Sequence, residues 1–350
     1  MRHPPPTASP HSSTKRLSRG CIHPLTLPVD FVVTFALVPP GPVHSQPGGG
    51  ESVGPRAHHA SMSDPPWPFL GTEVLATRAM PERAMRQGCE QLYPGVFVPR
   101  GAEPSARQRA EAAWLWSKRR GVVAGQSAAA MLGVKWVDGS QPAELIHDNR
   151  KSPEGLIVRT ETLAPEETLY LGPMQVTNPA RTAFELGRYT ARRVQAVQRL
   201  DALANATGVT VGDVEAVAAA HPGGRGLKAL RAVLPLVDGG AESPQETVAR
   251  LALIDAGLPA PQTQVEVFGE YGEFVARIDM AYDAVKVGIE YDGPQHWTDP
   301  AVRQRDIDKQ FELTRLGWSI IRVSRDLLRY RRPTYVARVE HALRERGFVW

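Results

Sequence analysis

Cysteine is nearly absent from this chain of 350 residues: there are two, Cys21 and Cys89. Two thiols cannot build a disulfide framework or a thiolate zinc site, so disulfide-stapled secreted scaffolds and zinc fingers are excluded and a reducing cytoplasm is the expected compartment. Long hydrophobic runs are also missing. The longest, Val29 to Pro40, is interrupted by Asp30 and too short to span a bilayer, so no membrane role is expected. Charge of one sign is scarce as well, with a net of only +4 from 41 basic and 37 acidic residues. Its distribution therefore says more about partners than its sum does.

Residues 1–61 hold five basic and two acidic residues, 5 − 2 = +3 of that +4, and six of the ten histidines. The stretch is rich in Pro, Gly and Ser and has no core-forming pattern. Lys15, Arg16 and Arg19 ahead of Phe31 to Val38 superficially suit a signal peptide. However, Asp30 adjoins the apolar run, and Pro39, Pro40 and Pro42 follow it without a small-residue cleavage site. Residues 1–61 are therefore expected to be a disordered extension or a mis-assigned start, with the globular chain beginning near Met62.

Three regions follow. In residues 62–101, helices at Thr72–Thr77 and Pro81–Gln87 lead to a hairpin from Leu92 to Val98, the order of a reduced winged helix-turn-helix. Arg83 and Arg86 on its second helix are placed to face a phosphate backbone; a packing module with solvated arginines is the alternative. Residues 102–240 read as a mixed α/β region. Helices are expected from Ser105 to Lys118 and Gly125 to Gly133. Strands at Ala143–His147 and Leu156–Arg159 read as paired around a polar turn, and Asn178 with Pro179 opens a helix as N-cap and first residue. Further helices are expected from Ala191 to Ala204 and Val211 to Ala220. No catalytic triad, phosphate loop or metal finger has its spacing here.

Asp238-Gly-Gly marks the clearest boundary, and residues 241–350 carry the chemistry. Ser243 and Glu246 form a capping box around Pro244, and the order thereafter is α-β-β-β-α-β. Asp279 lies among Val275, Ile278 and Met280, a costly environment for an unpaired charge. Glu290 and Asp292 close the next strand before Gly293. Two acids on adjacent strands of a meander can converge on Mg²⁺, or Mn²⁺ in its place, which takes oxygen ligands and keeps several waters. Such an ion activates water against a phosphodiester. The plainer readings are a turn at Asp292-Gly293, a cap at Glu246, a packed loop residue at His296, and Arg277 as the counter-ion of Asp279.

Taken together, Ser243-Pro-x-Glu246, Ala256-Gly-Leu-Pro259, Arg277-Ile-Asp279, Ile289-Glu-Tyr-Asp-Gly293, His296 and Leu316-Gly-Trp318 with Arg322 resemble the PD-(D/E)XK, or restriction-endonuclease-like, superfamily. The nearer likeness is to an uncharacterised bacterial branch akin to very-short-patch-repair endonucleases. Upstream, Tyr93-Pro-Gly-Val-Phe97, Ser127 to Gly133 and Thr177-Asn-Pro-Ala-Arg-Thr182 resemble AbiEi-type antitoxin-like proteins. The implied fold is a multidomain α/β protein: a restriction-endonuclease-like domain preceded by a small winged helix and a mixed α/β central domain. The implied activity is Mg²⁺-dependent DNA endonuclease, with a DNA-binding regulator or antitoxin-like protein on the same fold as the alternative.

By this resemblance Asp279 and Glu290 hold the metal, helped by the Tyr291 carbonyl, by Glu246 through water and by Asp292. The superfamily's lysine, two residues after Glu290, is Asp292 in this chain. Its role of orienting water and stabilising charge would fall to His296 or, on the next helix, to Lys309 or Arg305. Between Arg315 and Arg346 stand nine arginines and three acids. Arg322, Arg329, Arg331 and Arg332 there, with Arg305 on the preceding helix, are the expected phosphate contacts, although a solvated terminal helix explains the same run. DNA is the implied partner, with a cognate toxin or repair protein as a further one.

Overall fold

The computed structural model describes residues 66–149, 151–293 and 300–350, without the side chains of residues 300–303. The 1–61 extension and His296 lie outside the described residues.

The first region builds β1 (Phe69–Leu70), α1 (Gly71–Ala76), α2 (Glu82–Gly88), β2 (Cys89–Tyr93) and β3 (Val96–Pro99). Its antiparallel sheet has the order β1-β3-β2. The β2–β3 turn passes through Gly95 at φ 80, where a side chain would be strained. Pro81 is the N-cap of α2 rather than its first helical residue: its ψ of 143 is extended, yet its carbonyl already accepts the Met85 N–H.

The second region runs through α3 (Ala106–Trp116), β4 (Val122–Val123), α4 (Gly125–Met131), β5 (Ala143–Ile146), β6 (Leu156–Arg159), β7 (Thr168–Leu171), β8 (Met174–Thr177), α5 (Pro179–Tyr189), α6 (Arg193–Thr207), α7 (Val211–Ala220) and α8 (Leu227–Val233). The sheet order is β6-β5-β4-β8-β7. Helix starts follow the sequence: Ser105 and Gln108 form a capping box, and Asn178 accepts the Arg181 N–H ahead of Pro179. One expectation is corrected. β5 and β6 pair in parallel, Ala143 with Leu156 through Ile146 with Arg159, and are not a hairpin. Residues 147–155 are long enough to run back past a four-residue strand. Tyr93 fixes that return by donating its hydroxyl to the Gly155 carbonyl at 2.9 Å.

The third region comprises α9 (Pro244–Asp255), β9 (Gln262–Phe268), β10 (Phe274–Tyr282), β11 (Val287–Asp292), α10 (Pro300–Arg315), β12 (Ser319–Ser324), α11 (Arg325–Tyr330) and α12 (Arg332–Glu345). The sheet order is β12-β11-β10-β9, with β9, β10 and β11 antiparallel and β12 parallel to β11. It has a core on each side. One joins Leu253, Met280, Ile289, Val323 and Val339, and the other Ile278, Ala281, Leu313 and Trp318. Each fully buried aliphatic side chain contributes roughly 1.5–3 kcal/mol. Gly288 gives the two isoleucines room: a Cβ there would lie 2.6 Å from Ile320 Cδ1 and 3.1 Å from Ile278 Cγ2 and would displace them.

Packing crosses from the second region to the third. Asp201 of α6 accepts the Asp238 N–H at 2.8 Å, the Thr247 hydroxyl at 2.9 Å and Arg250 Nη2 at 2.7 Å. Asp201 and Arg250 are 1% and 3% exposed, and Leu251 joins the core of the central helices. Among the described residues no helix is long and apolar enough to cross a membrane.

Candidate functional site

The pairing of β10 with β11 runs from Tyr282–Val287 to Met280–Ile289 and stops there. Beyond it the Tyr291 N–H is taken by a side chain, Asp279 Oδ2, at 2.7 Å. On the other flank, Ile278 pairs with Val265 and Met280 with Thr263, but the intervening Gln264 has φ 51, unusual for a strand glutamine. The alternation of β10 slips at the same place. Ile278 and Met280 would share a face of a regular strand, yet they enter opposite cores. Asp279 thus occupies an irregularity at which its carboxylate replaces part of a ladder.

Along β11, Val287, Ile289 and Tyr291 pack toward α9 and α12, and Glu290 alternates to the other side. There Lys309 of α10 brings Nζ to 2.7 Å from Glu290 Oε1, with side chains 28% and 13% exposed. Burial raises the Asp279 pKa above the ordinary carboxylate range. The Tyr291 N–H opposes this, Glu290 adds to it, and Lys309 again opposes it. Asp279, Glu290 and Lys309, all named by the sequence, form one electrostatic cluster. Of the three proposed substitutes for the missing lysine, Lys309 is the one seen against Glu290.

Glu246 is buried at the start of α9, and its oxygens serve the cap. Oε1 accepts the Ser243 hydroxyl at 2.7 Å, and Oε2 accepts the Glu242 N–H at 2.9 Å and the Gln264 amide at 3.3 Å. Its pKa is raised, first by burial, with the cap bonds opposing and the Asp279 charge adding. Arg277 is not the counter-ion of Asp279, because it pairs with Glu242 at 2.9 Å. Asp292 lies 3.9 Å from Arg322, so two of the expected site residues face each other. Asp279 Oδ2 accepts the Tyr291 N–H; Glu290 Oε1 is ion-paired with Lys309 but has no geometrically aligned hydrogen bond, and Asp279 Oδ1 is unengaged, among the described residues. Among those residues no three His, Cys, Asp or Glu side chains are grouped to hold a metal. A carboxylate pair remains, which fits only a hard cation that keeps most of its waters.

The basic residues divide. Arg305 and Lys309 line a groove of about 660 Å³ between α10 and the start of β10, together with Arg315 and four acids including Glu273 and Asp308. That groove is mixed in charge. Arg329, Arg331 and Arg332 are exposed and have no ion pair among the described residues; Arg329 stacks on Tyr330, which is 69% exposed. Arg329 lies in the last turn of α11 and Arg331 and Arg332 just after it, and the N-cap of that helix, Ser324, is the register partner of Asp292. Arg83 is exposed, whereas Arg86 is held by Glu82 at 2.5 Å.

A second charged cluster was not foreseen. Arg181, fully buried in α5, bonds Glu185 at 2.9 Å, Glu167 at 3.1 Å, His221 at 3.1 Å and also Glu161. Glu161 in turn meets Arg188 and Tyr189. Burial pushes the Glu185 carboxyl up to about 7, with Arg181 opposing. The i, i+4 spacing of Arg181 and Glu185 on a helix with an apolar core face was the available signal.

No family model matches the chain, and no solved structure matches it. It is similar to two uncharacterised proteins of Mycobacterium tuberculosis, MT2308 and Rv2248. Each is 36% identical over 167 residues, which cover 48% of this chain and 61% of the relative. The match spans less than two thirds of the relatives' length.

Proposed function

We propose that residues 241–350 carry a Mg²⁺-dependent DNA phosphodiesterase site of PD-(D/E)XK type in a cytoplasmic bacterial protein. The observation that carries this reading is the convergence of Asp279, Glu290 and Lys309 where the β10–β11 ladder ends. The α-β-β-β-α-β order and the two-sided sheet support it. Asp279 and Glu290 would hold Mg²⁺, which when bound supplies Lewis acidity and an activated water. Lys309 holds a positive charge beside Glu290, from a helix rather than from the strand position occupied by Asp292, and would stabilise charge developing on the phosphate. Arg329, Arg331 and Arg332 with Tyr330 suit a nucleic-acid backbone, and Glu246 acts as a cap next to the acids. The small helices and three-stranded sheet of residues 69–99 support a winged-helix reading, with Arg83 its freer phosphate contact and a cognate toxin as an additional partner.

A non-catalytic DNA-binding regulator is the second reading, favoured by the Lys309–Glu290 pair, which can neutralise the site without metal. Cleavage of supercoiled, linear, mismatched and single-stranded DNA with Mg²⁺ or Mn²⁺ separates the two. The nuclease reading expects Glu290→Gln to abolish cleavage while metal-free DNA binding persists. If wild type cuts none of these substrates with either ion but binds DNA, the regulator reading stands.

A further inference from the structure

Two small pockets adjoin where α4, α5 and α6 meet residues 138–141 and the start of α9. Their volumes are about 180 Å³ and about 190 Å³, and Gln126, Gln141, Leu186 and Arg199 line both. Ala129, Val134 and Val137 give the first an apolar wall, and Glu144, Arg159 and Glu185 give the second a charged one.

Among the charged residues lining this double pocket, Arg199 and the exposed Asp138 have no ion pair among the described residues. Glu144 is paired with Arg159 and Glu185 with Arg181. Arg199 donates Nη1 to the Thr190 hydroxyl at 2.9 Å, and no carboxylate pairs with it among the described residues. Burial disfavours its cation, and the nearest acidic influence, Glu144, only partly opposes that. Beside it Gln126 is 9% exposed. Its backbone N–H donates to Glu144 at 3.1 Å, but its side-chain Nε2 is buried with no hydrogen-bond partner among the described residues. A buried amide nitrogen without an acceptor is a costly omission unless a ligand supplies one. Nothing in the proposed nuclease chemistry uses either group.

We propose that the double pocket binds a small monocarboxylate, its carboxylate received by the Arg199 guanidinium and Gln126 Nε2 and its compact apolar body set against Leu186, Ala129 and Val134. A carboxylate accepts hydrogen bonds from a guanidinium and from a side-chain amide N–H alike, and both groups line the two pockets. A phosphate dianion is disfavoured, because there is a single uncompensated cation and Glu144, Glu185 and Asp138 stand in the walls.

The test uses the full chain, with benzoate as probe and benzamide as its neutral isostere, read by saturation-transfer NMR and by thermal shift. Benzoate should bind saturably and benzamide at least about tenfold more weakly. Arg199→Gln should lose benzoate binding while Arg199→Lys retains part of it, with circular dichroism confirming that both fold. Because Arg199 is only partly buried, neither variant empties a core position. Asp279→Asn should leave benzoate binding unchanged, which keeps this outcome separate from that of the nuclease reading. No saturable benzoate binding, equal binding of benzamide, or undiminished binding by Arg199→Gln would each overturn the proposal.

Discussion

Arg181 and Asp279 are both charged side chains set among apolar neighbours, and the fold treats them in opposite ways. Arg181 is surrounded by carboxylates, Glu161, Glu167 and Glu185, and His221 closes the ring, so each guanidinium nitrogen has a partner. Asp279 has one backbone N–H, a second acid nearby, and a lysine that is engaged with that acid. The first network closes around Arg181, and its parts fix the loop after β6, the turn before β7, α5 and the end of α7 relative to one another. The second is open, because Asp279 Oδ1 has no partner among the described residues and the two acids share a single lysine. A closed network is explained by architecture, since removing one member leaves the others buried and unpaired. An open one is unexplained by architecture, and for that reason it is the better candidate for chemistry.

The contrast can be broken most forcefully at Arg181. Arg181→Ala should cost about 3–5 kcal/mol, read from urea unfolding, because three carboxylates lose their shared cation. A loss below about 1 kcal/mol would place the network among pairs that contribute little, and the distinction would fail. Lys309→Ala is the converse experiment. If the open cluster is catalytic, single-turnover cleavage should fall about 10²–10³-fold, while the unfolding midpoint barely moves, since a partly exposed pair contributes about 0–1 kcal/mol.

The pH dependence of stability sharpens the comparison further. Burial raises Glu185 from 4.5 to about 7 in the folded chain. Below 4.5 both states hold the proton. Between there and about 7 the unfolded chain has released it and the folded chain has not, so stability falls as pH rises through that window. Asp201, pushed up to about 6 by burial, acts with the same sign. Glu185→Gln should flatten the urea midpoint against pH across this range, and an unaltered slope would exclude Glu185 as its source. The smallest effect is expected at Asp279. Its carboxyl is also raised by burial and by Glu290, so Asp279→Asn should modestly raise the melting temperature without metal, the opposite direction to Arg181→Ala. The same variant should lose any Mg²⁺-dependent rise shown by wild type.

Much of residues 241–350 was legible because its signals are local. Ser243, Pro244 and Glu246 start α9, alternation marks β10 and β11, and the acids lie within those strands. Their convergence follows from the meander. Lys309 was one of three substitutes, and only the docking of α10 could choose it. The alternative of Arg277 as the counter-ion of Asp279 could not be set aside from sequence, because its partner, Glu242, precedes another helix. In the central region the helix caps were readable but the pairing direction of β5 and β6 was not, since alternation within a strand does not encode it. β7 and β8 escaped notice because they are four residues each and only partly buried. The Arg181 network draws on distant elements, so no window of sequence contains it.

The buried bond between Asp201 and Arg250 bears on how such a chain can evolve. Residues 241–350 have cores of their own and look exchangeable, yet a recombination at Gly239 or Gly240 would carry Arg250 away from Asp201 and bury its guanidinium against whatever the new neighbour offers. A graft would succeed only if the donor supplied an acid at the matching turn of its own last long helix, or if Arg250 changed in the same step. The two parts are therefore bound to travel, and to drift, as a pair.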